Sequence, residues 1–201
     1  MHATVHTIDG IPGPQDTSWV DEVLTALRSG GVPAGALVCA AMGMGPGTVV
    51  ALWDDERDAA GVPSGAVGAA GGVTLGSGRT YEVDFRKAGA GPGPARYLQL
   101  LTFDGPRSTE WSAAYHRAGE HRIWPATKDL PGLVEVIRGR TADGSRFAVT
   151  AAGSVEALEA GAKAIMSTEL LPGEDPAQLT GPDSMAVLRL LHADLPVGAD
   201  R

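Results

Sequence analysis

Cysteine and aromatic residues are scarce in this 201-residue sequence. The single cysteine, Cys39, excludes a disulfide within the chain. Its position in the apolar run 36–41 predicts a small core residue rather than a reactive thiol. Aromatic residues make up 5% of the chain, so any aromatic cluster is informative. Hydrophobic residues make up 43%, which provides enough apolar material for a globular core.

The sequence also lacks basic runs and long apolar runs. The formal net charge is −8, and the 16 Lys and Arg residues are scattered, which disfavours nucleic acid and anionic membrane surfaces as partners. No apolar stretch reaches the roughly 18 residues that a membrane-spanning helix needs. The first residues have a strand-like pattern without a secretory signal. We therefore expect a cytoplasmic protein that is not inserted in a membrane.

The second half of the chain, residues 95–195, predicts the order β-α-β-β-α-β. Its strands are expected at residues 96–103, 133–141, 146–152 and 184–192. Ser108 or Thr109 is expected to cap the first helix, and Ser154 the second. The pair Asp143-Gly144 indicates a hairpin between the two middle strands.

The first half, residues 1–88, repeats this order more loosely. Its expected strands are residues 3–9, 36–42, 48–53 and 80–86, and its expected helices are residues 18–29 and a short piece at 54–60. The Gly-rich stretch 65–78 predicts a degenerate helix or a mobile loop, and residues 88–95 have linker composition. The predicted fold class is therefore α+β, with two tandem ferredoxin-like βαββαβ units, 1–88 and 95–195, that arose by internal duplication.

One motif in the second half adds to this topology. His121 lies in the first predicted helix, and Leu130-Pro131-Gly132-Leu133 leads into the next strand. With the βαββαβ order, this resembles the dimeric α/β barrel superfamily, and in particular EthD-type proteins and antibiotic-biosynthesis monooxygenases. Where that family usually has His-X-Pro, this chain has His121-Arg122-Ile123-Trp124-Pro125. The resemblance implies that the two units pair as a pseudo-dimer, with a ligand cleft between each sheet and its helices, and it leaves a homodimer of the whole chain open.

The resemblance also implies a function. A cofactor-independent monooxygenase would act on a small aromatic or polyketide-like substrate, whose carbanion itself reduces O₂ in a dry pocket. Two alternatives stay open: a polyketide cyclase of the same fold, and a non-catalytic protein that binds a small ligand. In each case the expected partner is a small aromatic or apolar molecule, and no cofactor is expected.

Residues 111–124 hold an unusual share of the aromatic and histidine residues. Trp111 and Tyr115 share one helix face and, with Trp124, are expected to form the wall of a substrate pocket. His116 and His121 are candidate catalytic bases, because the unperturbed histidine pKa of roughly 6.5 lies near working pH. The two lie about 140° apart on an ideal helix, so they are not expected to act together. The alternative is a core helix whose aromatic residues pack on the sheet and whose histidines are exposed.

Three further residues complete the set of candidates. Arg138 and Arg140 alternate along the predicted strand 133–141, where a guanidinium could stabilise an enolate oxygen; the alternative is a solvated strand face. His192, on the last strand, is a candidate substrate-binding residue.

Two other kinds of site are not expected. The sequence has no His-X-His and no HExxH pattern, so no metal site is predicted. The run Gly43–Gly47 precedes a strand rather than a helix, so it predicts a hairpin turn and not a phosphate-binding loop.

Overall fold

The computed structural model describes residues 1–12, 16–67 and 72–196. These residues form an α+β fold in which the paired strands are antiparallel. They divide into two compact units: unit 1 consists of residues 1–83 and 187–196, and unit 2 consists of residues 84–186.

Unit 1 begins with β1 (His2–Asp9), α1 (Trp19–Gly30), β2 (Gly35–Ala41), β3 (Gly47–Trp53) and α2 (Glu56–Ala60), and continues with β4 (Gly65–Val67), β5 (Val73–Leu75) and the start of β6 (Arg79–Ala88). Strand β3 lies between β2 and β1. The other edge of β1 pairs with β6 and β5, and the other edge of β2 pairs with the end of the last strand, where Leu188 lies opposite Ala41.

The core of unit 1 follows from the apolar face of α1. Val20, Val23, Leu24 and Leu27 recur at helical spacing, and all four are buried. They pack in one cluster with Trp53 and other apolar residues of β2 and β3. The expected core role of Cys39 is confirmed, since it is fully buried in β2 and burial raises the pKa of its thiol.

Unit 2 contains the end of β6, then β7 (Tyr97–Phe103), α3 (Thr109–Ala118), a π-helical turn (Gly119–Ile123), α4 (Trp124–Thr127), β8 (Leu133–Arg140), β9 (Arg146–Ala152), α5 (Val155–Ser167), a 3₁₀ turn (Pro176–Gln178) and the start of β10 (Ser184–Asp194). Strand β9 lies between β7 and β8. The sheet continues with β10 beside β7 and with β6 beside β8.

Local signals in the sequence set the ends of these elements. The hydroxyl oxygens of Ser108 and Ser154 accept hydrogen bonds from the backbone N–H groups of Trp111 and Ala157, so both predicted caps are confirmed. Gly144 has φ of 83°, which suits the hairpin between β8 and β9. The Gly43–Gly47 turn joins the antiparallel pair β2 and β3, as expected.

One sequence prediction needs correction. The predicted degenerate helix or mobile loop at 65–78 contains the short strands β4 and β5, in which Ala66 lies opposite Thr74; residues 68–71 of that prediction lie outside the described residues. Glycine disfavours a helix, whereas Val67 and Val73 favour strand pairing. The helix that begins after Ser108 continues from α3 through the π-helical turn and α4 to Thr127.

Candidate functional site

Unit 2 contains an apolar cavity, here called the sheet cavity, with a volume of about 190 Å³. Its floor is formed by the faces of β6 to β9 that carry Phe85, Leu101, Val136 and Ala148. Helices α3, α4 and α5 cover it. Because side chains alternate along a strand, this face is distinct from the one that carries the buried Leu98, Ile137 and Phe147.

Aromatic rings form one wall of the sheet cavity. Phe85 and Trp124 meet edge to face, with ring centroids 5.6 Å apart and an interplanar angle of 75°. Phe103 meets Tyr115 in the same way at 5.0 Å and 70°. Tyr115 in turn stacks on Trp111 at 5.1 Å and 21°. Such surfaces favour a flat apolar ligand.

Arg138 is a buried cation at this cavity. Its side chain is 8% exposed, and its Cζ atom lies 3.9 Å from the centroid of the Phe85 ring. Its Nη2 lies 3.3 Å from Oε1 of Glu120, which is a long contact, and its Nε is buried without a hydrogen-bond partner. The guanidinium therefore has donor capacity left for an anion in the cavity.

Positive charge exceeds negative charge around Arg138. Nη1 of Arg146 lies 2.8 Å from Oδ2 of Asp84. Nζ of Lys87 lies 3.8 Å from Oε2 of Glu120. With Arg138, the cluster has three cations and two carboxylates. One bound anion would balance it, and the buried position makes that attraction stronger than in water.

Tyr115 is the second polar group that could contact a ligand. Burial raises the pKa of its hydroxyl above the ordinary value, and Asp84 acts in the same direction, although Arg138 and Arg146 oppose it. The hydroxyl therefore stays protonated at neutral pH. It can donate a hydrogen bond to a ligand oxygen near the Arg138 side of the cavity.

Two glycines leave space for this arrangement. Gly119 begins the π-helical turn, and a β-carbon there would lie 1.6 Å from Nη1 of Arg138. Gly161 lies on the buried face of α5 and lines the cavity, and a β-carbon there would have no atom within 4 Å. A glycine inside a helix costs stability. At Gly161, the absence of a side chain keeps part of the sheet cavity open, at the expense of helix stability.

A second cavity of about 550 Å³, here called the loop cavity, lies between α3, α5 and the segment 176–182. Four side chains line both cavities: Phe103, Tyr115, Ile123 and Ile165. Trp111 lines the loop cavity, and its Nε1–H donates to Oγ1 of Thr180 at 3.1 Å.

The structure brings together four of the eight residues that the sequence nominated. Tyr115, Trp124 and Arg138 line the sheet cavity, and Trp111 stacks on Tyr115. The other four lie elsewhere: His116, His121 and Arg140 are exposed and line neither cavity, and His192 is half-buried in unit 1, where β10 pairs with β2.

Sequence reasoning missed several residues of the site: Phe85, Phe103, Glu120, Arg146 and Gly161. Strand alternation could have found one of them, since Arg146 has the same parity on β9 as the cavity-lining Ala148 and Thr150. No sequence signal links Phe85, which is near the end of β6, to the later strands.

Within the described residues, no cluster of three or more His, Cys, Asp or Glu side chains could hold a metal ion. Among the same residues, no helix has the length and apolar character to cross a membrane.

Solved structures with this fold exist, although no protein-family model and no curated protein matches the sequence. A candidate monooxygenase from Fusobacterium nucleatum is 11% identical with a TM-score of 0.63, covering 100% of this chain and 97% of its own. An anthrone oxidase-like protein is 15% identical with a TM-score of 0.55, covering 96% and 92%. A heme-degrading enzyme from Listeria monocytogenes is 8% identical with a TM-score of 0.51, covering 94% and 99%.

These matches cover nearly the whole chain, so they show that its fold is similar to that of these solved proteins. At identities this low, a structural likeness carries the fold and not the activity.

The residues of unit 2 do not fit a haem group. Neither cavity is lined by a histidine or a cysteine, which are common haem ligands. Tyr115 lines both cavities, but its raised pKa disfavours the phenolate that would bind iron, and its ring is stacked on Trp111. Neither cavity therefore provides a ligand for haem iron.

Proposed function

We propose that unit 2 binds a small aromatic molecule with an ionisable oxygen, and that the protein is a cofactor-independent monooxygenase-like enzyme acting on that molecule. The observation that carries the proposal is the buried Arg138 guanidinium, which faces an apolar, aromatic cavity with unused hydrogen-bonding capacity. A phenolate or enolate oxygen is the ligand group that this arrangement favours.

The binding mode follows from the residues around the cavity. The ring of the ligand lies against Phe85 and Trp124, and its oxygen accepts hydrogen bonds from Arg138 and Tyr115. A cavity of about 190 Å³ suits a compact molecule, since a dry cavity of roughly 150 Å³ already holds benzene.

The reaction needs no group beyond the substrate and O₂. The ionised substrate transfers electrons from an activated ring CH₂ to O₂; the two C–H bonds of that carbon break and a C=O bond forms. One oxygen atom enters the product, and the other leaves as water with the two hydrogens. The substrate is oxidised by four electrons, which matches the four electrons that O₂ accepts. The protein stabilises the anion and excludes water.

The lack of a base in the sheet cavity bears on the three functions that the sequence left open. Among the residues lining the sheet cavity there is no histidine and no carboxylate. The site therefore suits a substrate acidic enough to ionise once Arg138 stabilises its anion. A cyclase needs positioned acid and base groups, so it is less well supported. The missing base favours non-catalytic ligand binding as the second candidate function.

We also propose that the chain consists of two tandem ferredoxin-like halves, 1–88 and 95–195. The support is the repeated pairing: β3 lies between β1 and β2 in unit 1, and β9 lies between β7 and β8 in unit 2. In each case the third strand of the βαββαβ order lies between the first and the second, as the ferredoxin-like arrangement requires.

The test measures O₂ consumption and product mass with a panel of anthrones, which carry the ring CH₂ that the reaction oxidises, and ligand binding with hydroquinones, which lack it. We expect uptake of one O₂ per molecule of ketone product with the wild type, and a loss of about 100-fold or more in rate with Arg138→Met. Arg28→Met is the matched control, because Arg28 is exposed on α1 in unit 1. Binding of the panel without O₂ uptake would establish the ligand-binding alternative, and absence of both would refute the proposal.

A further inference from the structure

The loop cavity adjoins the sheet cavity and takes no part in the proposed binding of the acidic ring. We propose that the loop cavity is the second half of one binding site and takes the uncharged, apolar remainder of a substrate whose acidic ring lies in the sheet cavity. This inference rests on the proposed function and names the substrate class: an extended phenol or enol with a neutral apolar extension.

The sheet cavity and the loop cavity share one wall. Phe103, Tyr115, Ile123 and Ile165 line both. Since Tyr115 stacks on Trp111, an aromatic surface runs from the sheet cavity into the loop cavity. A flat ligand that leaves the first cavity past Tyr115 meets Trp111 next.

The two cavities differ in how fully the arginine that lines each one is neutralised. The loop cavity is lined by Arg122, but this cation is already neutralised: its Nε lies 2.9 Å from Oε2 of Glu174, and its Nη1 donates to Oγ1 of Thr168 at 3.0 Å. The Glu174 side chain is 2% exposed. Arg138, in contrast, lies 3.3 Å from Glu120 and shares that carboxylate with Lys87. The spare positive charge is therefore confined to the sheet cavity, and the loop cavity suits an uncharged group.

Hydrogen bonds and an ion pair anchor the segment 176–182, which lines the loop cavity, and the residues on either side of it. Trp111 donates to Thr180, and Arg117 donates to the carbonyl oxygen of Pro172 at 2.7 Å. Arg107 pairs with Asp183 at the end of the same segment. These contacts hold the segment 176–182 in place beside α3, where it lines the loop cavity.

The two cavities also differ in volume. The sheet cavity holds a compact ring system, whereas the loop cavity is about 550 Å³. Ligand sites commonly have volumes of roughly 300–1,000 Å³. The loop cavity is within that range and the sheet cavity alone is below it, so a ligand of ordinary size needs space beyond the sheet cavity.

The experiment compares two fluorescent phenols that differ in length. One is 7-hydroxycoumarin, and the other is 7-hydroxy-4-phenylcoumarin, which adds one apolar ring to the same phenol. We expect the phenyl compound to bind the wild type about tenfold or more tightly, because the added ring leaves water. Fluorescence titration gives both dissociation constants.

Two variants narrow the loop cavity without touching the sheet cavity. Ala118 is buried and lines the loop cavity alone, and Gly181 lines it at a position where an added β-carbon would have no atom within 4 Å. Ala118→Leu and Gly181→Leu should each remove most of the advantage of the phenyl compound and change binding of 7-hydroxycoumarin by less than about twofold. Gly161→Leu, which fills the sheet cavity, should weaken both compounds.

The outcomes separate this inference from the proposed function. If 7-hydroxycoumarin binds through Arg138 but the phenyl compound gains nothing, the loop cavity is not a subsite and the proposed function stands. If neither compound binds, both proposals fail. If circular dichroism shows that one of the two narrowing variants is unfolded, the other variant and the comparison of the two compounds on the wild type still decide whether the loop cavity is a subsite.

Discussion

Gly119 and Arg138 are in direct contact: a β-carbon on Gly119 would lie 1.6 Å from Nη1 of Arg138. Gly119 is the first residue of the π-helical turn, and Arg138 lies on β8 at the wall of the sheet cavity. Such turns are often found at functional sites. The absence of a side chain at Gly119 allows the guanidinium to lie over the Phe85 ring, 3.9 Å from its centroid.

Gly119→Ala should displace this guanidinium and weaken binding of 7-hydroxycoumarin by about tenfold or more. The unfolding temperature should change little, since the clash is with the movable end of a long side chain. Fluorescence titration and thermal unfolding check the two parts. Gly153→Ala is the control, because its β-carbon would meet only the carbonyl oxygen of Gly132 at 3.8 Å. Equal affinities of the two variants would contradict the role of Gly119.

Gly161→Ala should raise the free energy of unfolding by about 1 kcal/mol and weaken ligand binding at the same time. The gain comes from helix propensity, because the new methyl group meets no atom within 4 Å. The loss comes from the narrower sheet cavity. Urea unfolding and titration with 7-hydroxycoumarin measure both, and Ala160→Gly at an exposed position of α5 should lower stability by a similar amount. A destabilised Gly161→Ala variant would show that the position is not open.

The stability of unit 1 should fall in mild acid because of His6. Burial lowers the pKa of His6 below its ordinary value of 6.5, and the hydrogen bond between Nδ1 and the Gly76 carbonyl oxygen opposes this only in part. Nε2 is buried without a partner. The unfolded chain therefore takes up a proton at a higher pH than the folded chain does, so the free energy of unfolding decreases as the pH falls through about 6.5.

His6→Gln isolates this contribution, because glutamine does not titrate. Urea unfolding at about pH 7.5 and about pH 5.5 should show a larger loss of stability for the wild type than for the variant. The same loss in both proteins would mean that other groups cause the pH dependence.

His116→Ala, His121→Ala and Arg140→Met should each keep ligand binding and O₂ uptake within about twofold of the wild type. All three side chains are exposed and line neither cavity, and such surface changes have small effects. Oxygen-electrode rates with the most active substrate of the panel provide the measurement. A large loss with either histidine variant would restore the sequence-based assignment of that histidine as the base.

Much of unit 2 could be predicted from the sequence because its signals are local. Ser108 and Ser154 precede amphipathic segments, and Asp143-Gly144 joins two alternating ones, so caps and hairpin follow from neighbouring residues. The i, i+4 spacing of Trp111 and Tyr115 likewise predicted a pair that the structure shows stacked.

The choice between Arg138 and Arg140 shows where local signals end. Both residues have the same parity on β8, so the sequence treats them alike. Arg138 is buried because Phe85 of β6 and Glu120 of the π-helical turn lie against it, whereas Arg140 ends the strand and is exposed. Glu120 is 18 positions and Phe85 is 53 positions away from Arg138 in the chain, so these contacts are not local.

The sequence by itself determined the α+β class, the order of strands and helices outside residues 65–78, the caps, and the buried position of Cys39, because each depends on periodicity or on residues a few positions apart. The tertiary structure alone decided which polar residues face an apolar cavity. It assigned that role to Arg138 and Tyr115 and placed His116 and His121 in solvent. The physical reason is that burial and charge pairing depend on strands and helices that meet only in the folded chain.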